Sequence, residues 1–171
     1  TGTPVHDAVV WISQQTDDIV RRWDAEGLGA VFTERTGLRN DSFFSAAKVV
    51  WLLENVPGLR ARAEAGEIAL GTVDSWVLWN LTGRETHATD HSCASRTALF
   101  NLESLGWDAE LCSRLDIPMS LFPAALPSDA DFGRVASDII THRPPVRAVI
   151  ADQQAGMFGQ ACIETGSAKN T

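Results

Sequence analysis

The chain is 171 residues long, 44% apolar and 21% charged, with a formal net charge of −8, which by length is one domain with enough apolar content for a core. The acidic balance argues against nucleic acid and anionic membrane surfaces as partners, and no apolar run approaches the roughly 18 residues of a membrane span. Cys93, Cys112 and Cys162 are odd in number and share no C-x-x-C spacing, which reads as reduced thiols in a cytoplasmic protein. Thr1-Gly2-Thr3-Pro4 has neither a basic n-region nor an apolar h-region, so no secretory leader is expected.

Ala8-Val9-Val10-Trp11-Ile12 suits a buried strand that runs into polar Ser13-Gln14-Gln15. Thr16-Asp17-Asp18 opens a helix carrying Ile19, Val20 and Trp23 at helical spacing up to Gly27, and a second short helix covers Leu28 to Arg35 before Gly37. Ser45 to Val56 is a stronger helix, with Val49, Leu52, Leu53 and Val56 on one face and Pro57-Gly58 as its stop. Leu59 to Ala65 forms another short helix. Gly71 to Ser75 is a capping region, after which Val73, Trp76, Val77 and Leu81 make a stripe closed by Thr82-Gly83.

Short strands are expected at Thr86 to Thr89 and Arg96 to Leu102, and a helix from Trp107 to Leu115. Pro123 to Arg143 is loop-rich, with a strand around Phe132-Gly133-Arg134-Val135. The β-branched run Val146 to Ala151 predicts a buried strand that ends at Asp152-Gln153-Gln154, and a helix from Gln154 to Cys162 follows. Lys169-Asn170-Thr171 reads as the opening of a further strand. Strand, helices, then strand and helix again predict an α/β domain with a helical insertion.

Asp152 is the leading chemical candidate. An acid at a strand end lies where open α/β sheets bind ligands, and it can deprotonate an alcohol or hold Mg²⁺. Gln153 can orient substrate hydroxyls, because its amide both donates and accepts. The plainer alternative is that Asp152 only caps the next helix. Trp11 beside paired amides can cover the carbon skeleton of a polyol, although a core Trp is commoner. Phe43 and Phe44 can wall a pocket or staple the helix that follows. Lys48 reads as solvated surface, since no GxxxxGK loop accompanies it. His87 and His91 have metal-pair spacing but no third ligand, and Cys93 has no base beside it, so both are set aside.

Several ordered segments carry a resemblance: Thr1 to Trp11, Phe44-Ser45-Ala46-Ala47-Lys48-Val49-Val50-Trp51 to Asn55, Gly71 to Gly83, Ala94-Ser95-Arg96-Thr97-Ala98-Leu99-Phe100-Asn101, Asp116-Ile117-Pro118 and Asp152 to Gln160. Together they resemble the FGGY carbohydrate kinases. The resemblance implies a ribonuclease-H-like, actin-like ATPase fold, partial here, with residues 1–171 as the second half of the N-terminal domain. It implies transfer of the ATP γ-phosphate to a primary hydroxyl, with glycerol as the acceptor and ATP and Mg²⁺ as the other small molecules required. Asp152 matches the family's general base near Mg²⁺, Gln153 a substrate contact, and Trp11 the aromatic packed on the acceptor's carbons. The nucleotide's own Gly-Thr-Gly loop is expected beyond Thr171, so the chain alone is expected to bind neither ATP nor polyol well.

Three departures from the family pattern matter, two for the acceptor and one for regulation. Phe43 stands where a Tyr hydroxyl usually reaches the substrate, and Ser13-Gln14-Gln15 replaces charged residues. The loop from Asp138 to Val146 lacks the Gly-rich, Arg-containing segment of members regulated by fructose 1,6-bisphosphate. Another polyol or a ketose such as xylulose is the alternative acceptor, and a non-catalytic module retaining the fold is the alternative class. Exposed core edges imply poor stability alone, or association into a homo-oligomer or with flanking segments.

Overall fold

A computed structural model describes residues 2–170. The chain divides into two compact units: one runs to Leu70 and resumes from Ala94 to Pro123, and the other comprises Gly71–Cys93 and the residues from Ala124 onward.

The first unit is mainly helical, with α1 (Asp17–Ala25), α2 (Gly29–Thr36), α3 (Ser45–Asn55) and α4 (Leu59–Glu64) in its first part. The most buried stripe is on α3, where Ala46, Ala47, Val49, Val50 and Leu53 join Ile19, Trp23, Phe32, Leu59, Ala63, Leu99, Leu111 and Ile117 in one apolar cluster. Gly37 closes α2 at φ +69°, a left-handed backbone that favours glycine. The segment Ala8–Ile12, expected as a strand, is irregular and carries exposed Val10, Trp11 and Ile12. Its apolar run finds no strand partner among the described residues, and an isolated strand leaves its backbone groups unpaired.

Later in this unit, β2 (Phe100–Asn101) and β3 (Gly106–Trp107) form a small antiparallel pair, followed by α7 (Ala109–Arg114) and a 3₁₀ turn (Met119–Leu121). Trp107, expected to begin a helix, is in β3 instead. Its indole donates to Pro123 O at 2.7 Å and stacks on Phe122 at 4.5 Å, and these contacts outweigh helix propensity.

The start of α7 is set by Asp108, which is 3% exposed. Its carboxylate accepts from Leu111 N–H and Asn101 Nδ2, and both of its oxygens accept from Arg35 Nη1. Burial pushes the Asp108 pKa up, but the Leu111, Asn101 and Arg35 donors prevail and hold it below the usual carboxylate range. A depressed folded-state pKa stabilises the protein above the unfolded carboxylate value, about 3.9, and that stability is lost as pH falls through the folded value. Asp108→Asn keeps a capping oxygen but gives up the charge-assisted bonds with Arg35, and is therefore expected to cost about 1–2 kcal/mol at neutral pH. Thermal melts against pH should show this gap closing below about pH 4.

The second unit contains α5 (Val73–Leu81), β1 (Ala88–Asp90), β4 (Ala124–Leu126) and α8 (Asp152–Gly159). The four-residue turn of helix α6 (His91–Ala94) follows β1 directly. β1 and β4 pair in parallel, with Ala88 opposite Ala124 and Asp90 opposite Leu126, and the long crossover that a parallel pair needs is supplied by the intervening residues. Leu78, Ala88 and Phe132 form the core, with Leu126, Ala130, Val146 and Val149 packed around them.

Several expectations are corrected in this unit. On α5 the buried residues are Ser75 and Leu78, whereas Val73 is 79%, Trp76 45% and Val77 49% exposed. Periodicity identified an apolar stripe but not the side of the helix that is buried. Residues 146–151 form no named strand. They run beside Gly133 and Ser128 through Val146 N–H to Gly133 O (2.8 Å) and Val149 N–H to Ser128 O (3.0 Å). The strand expected around Phe132 reduces to a single bridge between Arg134 and Pro145. The helix begins at Asp152, two residues before its expected start, and ends at Gly159. Lys169 and Asn170 form no strand, and Thr171 lies outside the described residues, as does Thr1. No helix among the described residues is long and apolar enough to cross a membrane.

Candidate active site

In the first unit, Trp11 and Phe43 come together. Their ring centroids are 5.6 Å apart at 56°, and Phe43 meets Phe44 edge-on at 5.2 Å. Trp11 is 66% exposed and is therefore an open platform rather than a core residue in this unit. Phe44 is the N-cap of α3 and is buried. A staple would need an apolar residue in the first helical turns opposite Phe43, but Lys48 occupies that place and Phe43 packs on Trp11 instead.

Lys48 is a clear correction, being 7% exposed rather than solvated. Its ammonium donates to the carbonyls of Ser42, Phe43 (3.1 Å) and Phe44 (3.4 Å). Burial lowers its pKa, opposed by the charge of Asp41. Asp41 Oδ1 in turn accepts from Phe43 N–H at 2.9 Å. The backbone on which Phe43 stands is thus held on both sides by charge-assisted bonds. The sequence signal was present: Lys48 shares its helix face with Phe44, Trp51 and Leu52, four, three and four residues away.

In the second unit, Asp152 and Gln153 occupy the first turn of α8, where an acid is favoured by the helix dipole. The N-cap is Ala151, which has no side-chain cap, so Asp152 lies one residue inside the helix instead of at the capping position. Asp152 is exposed, and its Oδ1 accepts from Gln153 N–H at 2.8 Å. Among the described residues no other protein donor is recorded on it. A hard carboxylate oxygen left open in this way fits Mg²⁺, which takes few protein oxygens and keeps its waters. Gln153 Oε1 accepts from Lys169 Nζ at 3.2 Å. α8 itself buries no residue.

A buried polar group lies at the end of β1. Asp90 is fully buried and accepts from Ser92 N–H (3.0 Å), Ser92 Oγ (2.5 Å), Cys93 N–H (2.9 Å) and Ser128 Oγ (2.6 Å). Burial raises its pKa, but the hydroxyls of Ser128 and Ser92 and the Cys93 amide outweigh that and lower it. Asp74 accepts from Thr89 Oγ1 at 2.6 Å and from Thr72.

Asp74, Asp90 and Cys93 form the one group with metal-ligand spacing found among the described residues. Burial, with Asp74 and Asp90 beside it, drives the Cys93 thiol pKa far up and keeps it protonated. In that state the thiol donates hydrogen bonds to Asp90 and Asp74, and both carboxylates also accept from neighbouring hydroxyls and amides. The same burial makes Cys93 a poor nucleophile, as expected. His87 packs edge-on to Trp79 at 6.3 Å, and neither His87 nor His91 belongs to a metal-spaced group. Residue types alone assign Asp90, Ser92 and Ser128 no role. The available signal was Asp90-x-Ser92 at a strand end, the spacing at which an Asp side chain binds the amides two and three residues on.

Comparison with known proteins follows the same residues. The family model described as "FGGY family of carbohydrate kinases, N-terminal domain" matches residues 1–159. The glycerol kinase of Thermus brockianus is 50% identical over 171 residues, which is 100% of this chain and 34% of that protein. The glycerol kinase of Polaromonas sp. strain JS666 is 48% identical over the same span, again 34% of its length. In structure, Plasmodium falciparum glycerol kinase with ADP matches with a TM-score of 0.92 at 30% identity, covering 98% of this chain and 33% of that one. The xylulose kinase of Lactobacillus acidophilus matches at 0.80 with 18% identity, covering 92% and 32%, a likeness of fold alone. The fold is thus the actin-like, ribonuclease-H-like one expected, in part and with its helical insertion. The chain spans about a third of the length of the relatives it matches.

Proposed function

Because the chain belongs to the FGGY family of carbohydrate kinases, we propose that it supplies the acceptor side of an ATP-dependent kinase that converts glycerol to glycerol 3-phosphate. We read residues 1–171 as the second half of that enzyme's N-terminal domain, with the nucleotide held elsewhere in a longer protein. The observation that carries the acceptor is the 50% identity to a glycerol kinase along every residue of this chain.

Asp152 takes the proton of the primary hydroxyl as that oxygen bonds to the γ-phosphorus and the bond to the β-bridging oxygen breaks, releasing ADP. Its exposure and open oxygen suit both an incoming hydroxyl and a cation. Mg²⁺, when bound, neutralises charge on the transferring phosphate. In the first unit Trp11 and Phe43 offer an aromatic face suited to an acceptor's carbons, and in the second Gln153 offers an amide that can bind a hydroxyl in place of Lys169. Most of the rate comes from positioning and charge neutralisation, as in phosphoryl transfer generally.

The test is ADP release from MgATP by the full-length protein carrying this segment, with glycerol, erythritol, xylulose and ribulose as acceptors. Turnover led by glycerol is the expected result. Turnover led by a ketose would transfer the acceptor role, and silence on all four would favour a non-catalytic module. Phe43 lacks the hydroxyl that a Tyr would offer. Phe43→Tyr is therefore expected to lower the glycerol KM by roughly 2- to 10-fold, the worth of one hydrogen bond, with kcat little changed.

A further inference from the structure

α8 begins at the residue read above as the base, yet none of its side chains is buried. Packing therefore does not aim Asp152, and the task falls to polar ties at the helix start. Ala151, the residue before Asp152, has no side chain with which to cap the helix. Its carbonyl is engaged by Ala155 N–H at 2.8 Å, and its own N–H donates to Ser92 Oγ at 2.8 Å. Two residues earlier, Val149 N–H donates to Ser128 O at 3.0 Å. Ser92 and Ser128 are both gripped through their hydroxyls by the same oxygen, Asp90 Oδ2, at 2.5 and 2.6 Å.

We propose that Asp90, Ser92 and Ser128 form a buried bracket that positions Asp152 for proton transfer. The inference rests on the reading of Asp152 as base. The chemistry of the bracket is directional. An ionised Asp90 is acceptor-only, so the Ser92 hydroxyl must spend its single proton on Asp90. Its lone pairs are then turned to the Ala151 amide. β1, which holds Asp90, is paired along its length with β4, just ahead of Ser128, and so the bracket refers the aim of Asp152 to the sheet. None of the three touches the reacting atoms, which makes them positioning residues.

The experiment is steady-state kinetics of Ser92→Ala, Ser92→Thr and Ser92→Cys in the full-length kinase, each alone and combined with Asp152→Asn. Ser92→Ala should lower kcat by about 10- to 100-fold, as a misplaced catalytic group does, with KM for glycerol and MgATP held within about twofold. Ser92→Thr keeps the hydroxyl and should restore turnover, together with slow exchange of the Ala151 amide proton. Ser92→Cys is close in size but a weak hydrogen-bond partner, and it reads the same loss should the alanine variant fail to fold. In the Asp152→Asn background no Ser92 change should cost anything further, because the bracket acts through that residue.

Full turnover in Ser92→Ala would overturn the proposal, as would an equal loss in both backgrounds. Equal turnover by wild type and Asp152→Asn would remove the base assignment itself, and the bracket's role with it.

Discussion

Asp152→Asn is expected to fold as the wild type does and to lose kcat by about 10²- to 10⁴-fold, the usual contribution of a positioned general base. The amide has the size and shape of the acid but cannot accept the hydroxyl proton. Stability should change little. The side chain is exposed and, among the described residues, accepts only from the adjacent Gln153 amide, which leaves a helix-dipole loss of about 0.3–1 kcal/mol. Single-turnover phosphorylation of glycerol by the full-length protein, beside a thermal melt, separates the two effects. A kcat within a few-fold of wild type would show that the proton leaves by another route.

Phe132→Ala should have the largest effect on stability, about 3–5 kcal/mol, as expected for an aromatic removed from a closed core. Phe132 is fully buried, and the core of its unit is small: Leu78 and Ala88, with Leu126, Ala130, Val146 and Val149 at its margin. Few neighbours are available to collapse into the void. The residue also anchors backbone, since its N–H donates to Val146 O at 3.0 Å on the segment leading to Asp152. Urea denaturation of the variant beside Phe158→Ala gives the contrast. Phe158 is 75% exposed, and its loss should stay within about 0.5 kcal/mol. A Phe132→Ala cost below about 1 kcal/mol would mean that this core is not what holds the unit together.

The sequence was most legible where local rules and burial agree. Asp17-Asp18 opens α1, Gly37 closes α2, and of the face expected on α3 Val49 and Leu53 are buried while Leu52 and Val56 pack half-buried against the same cluster. It was least legible for strands. β2 and β3 are two residues each and β1 and β4 three, too short for an alternating pattern to register. The run Val146 to Ala151 has strand composition but makes isolated backbone bonds instead of a ladder. Trp76 and Val77 obey helical spacing and still face outward.

The candidate site divides along the same line. The identity of its chemical groups was readable from sequence: an acid and an amide at Asp152-Gln153, and aromatics at Trp11 and Phe43. These are properties of residue types in a local pattern, and motif order alone was enough to indicate the family. The environment of those groups was not readable. That Lys48 is buried against three carbonyls, that Cys93 stays protonated between two acids, and that Asp90 grips Ser92 and Ser128 all depend on distant segments meeting. Asp90 and Ser128 are 38 residues apart, and Ser92 and Ala151 are 59 apart. Hydrogen-bond direction, desolvation and burial are set by what surrounds a side chain in space, and only the tertiary structure decides that.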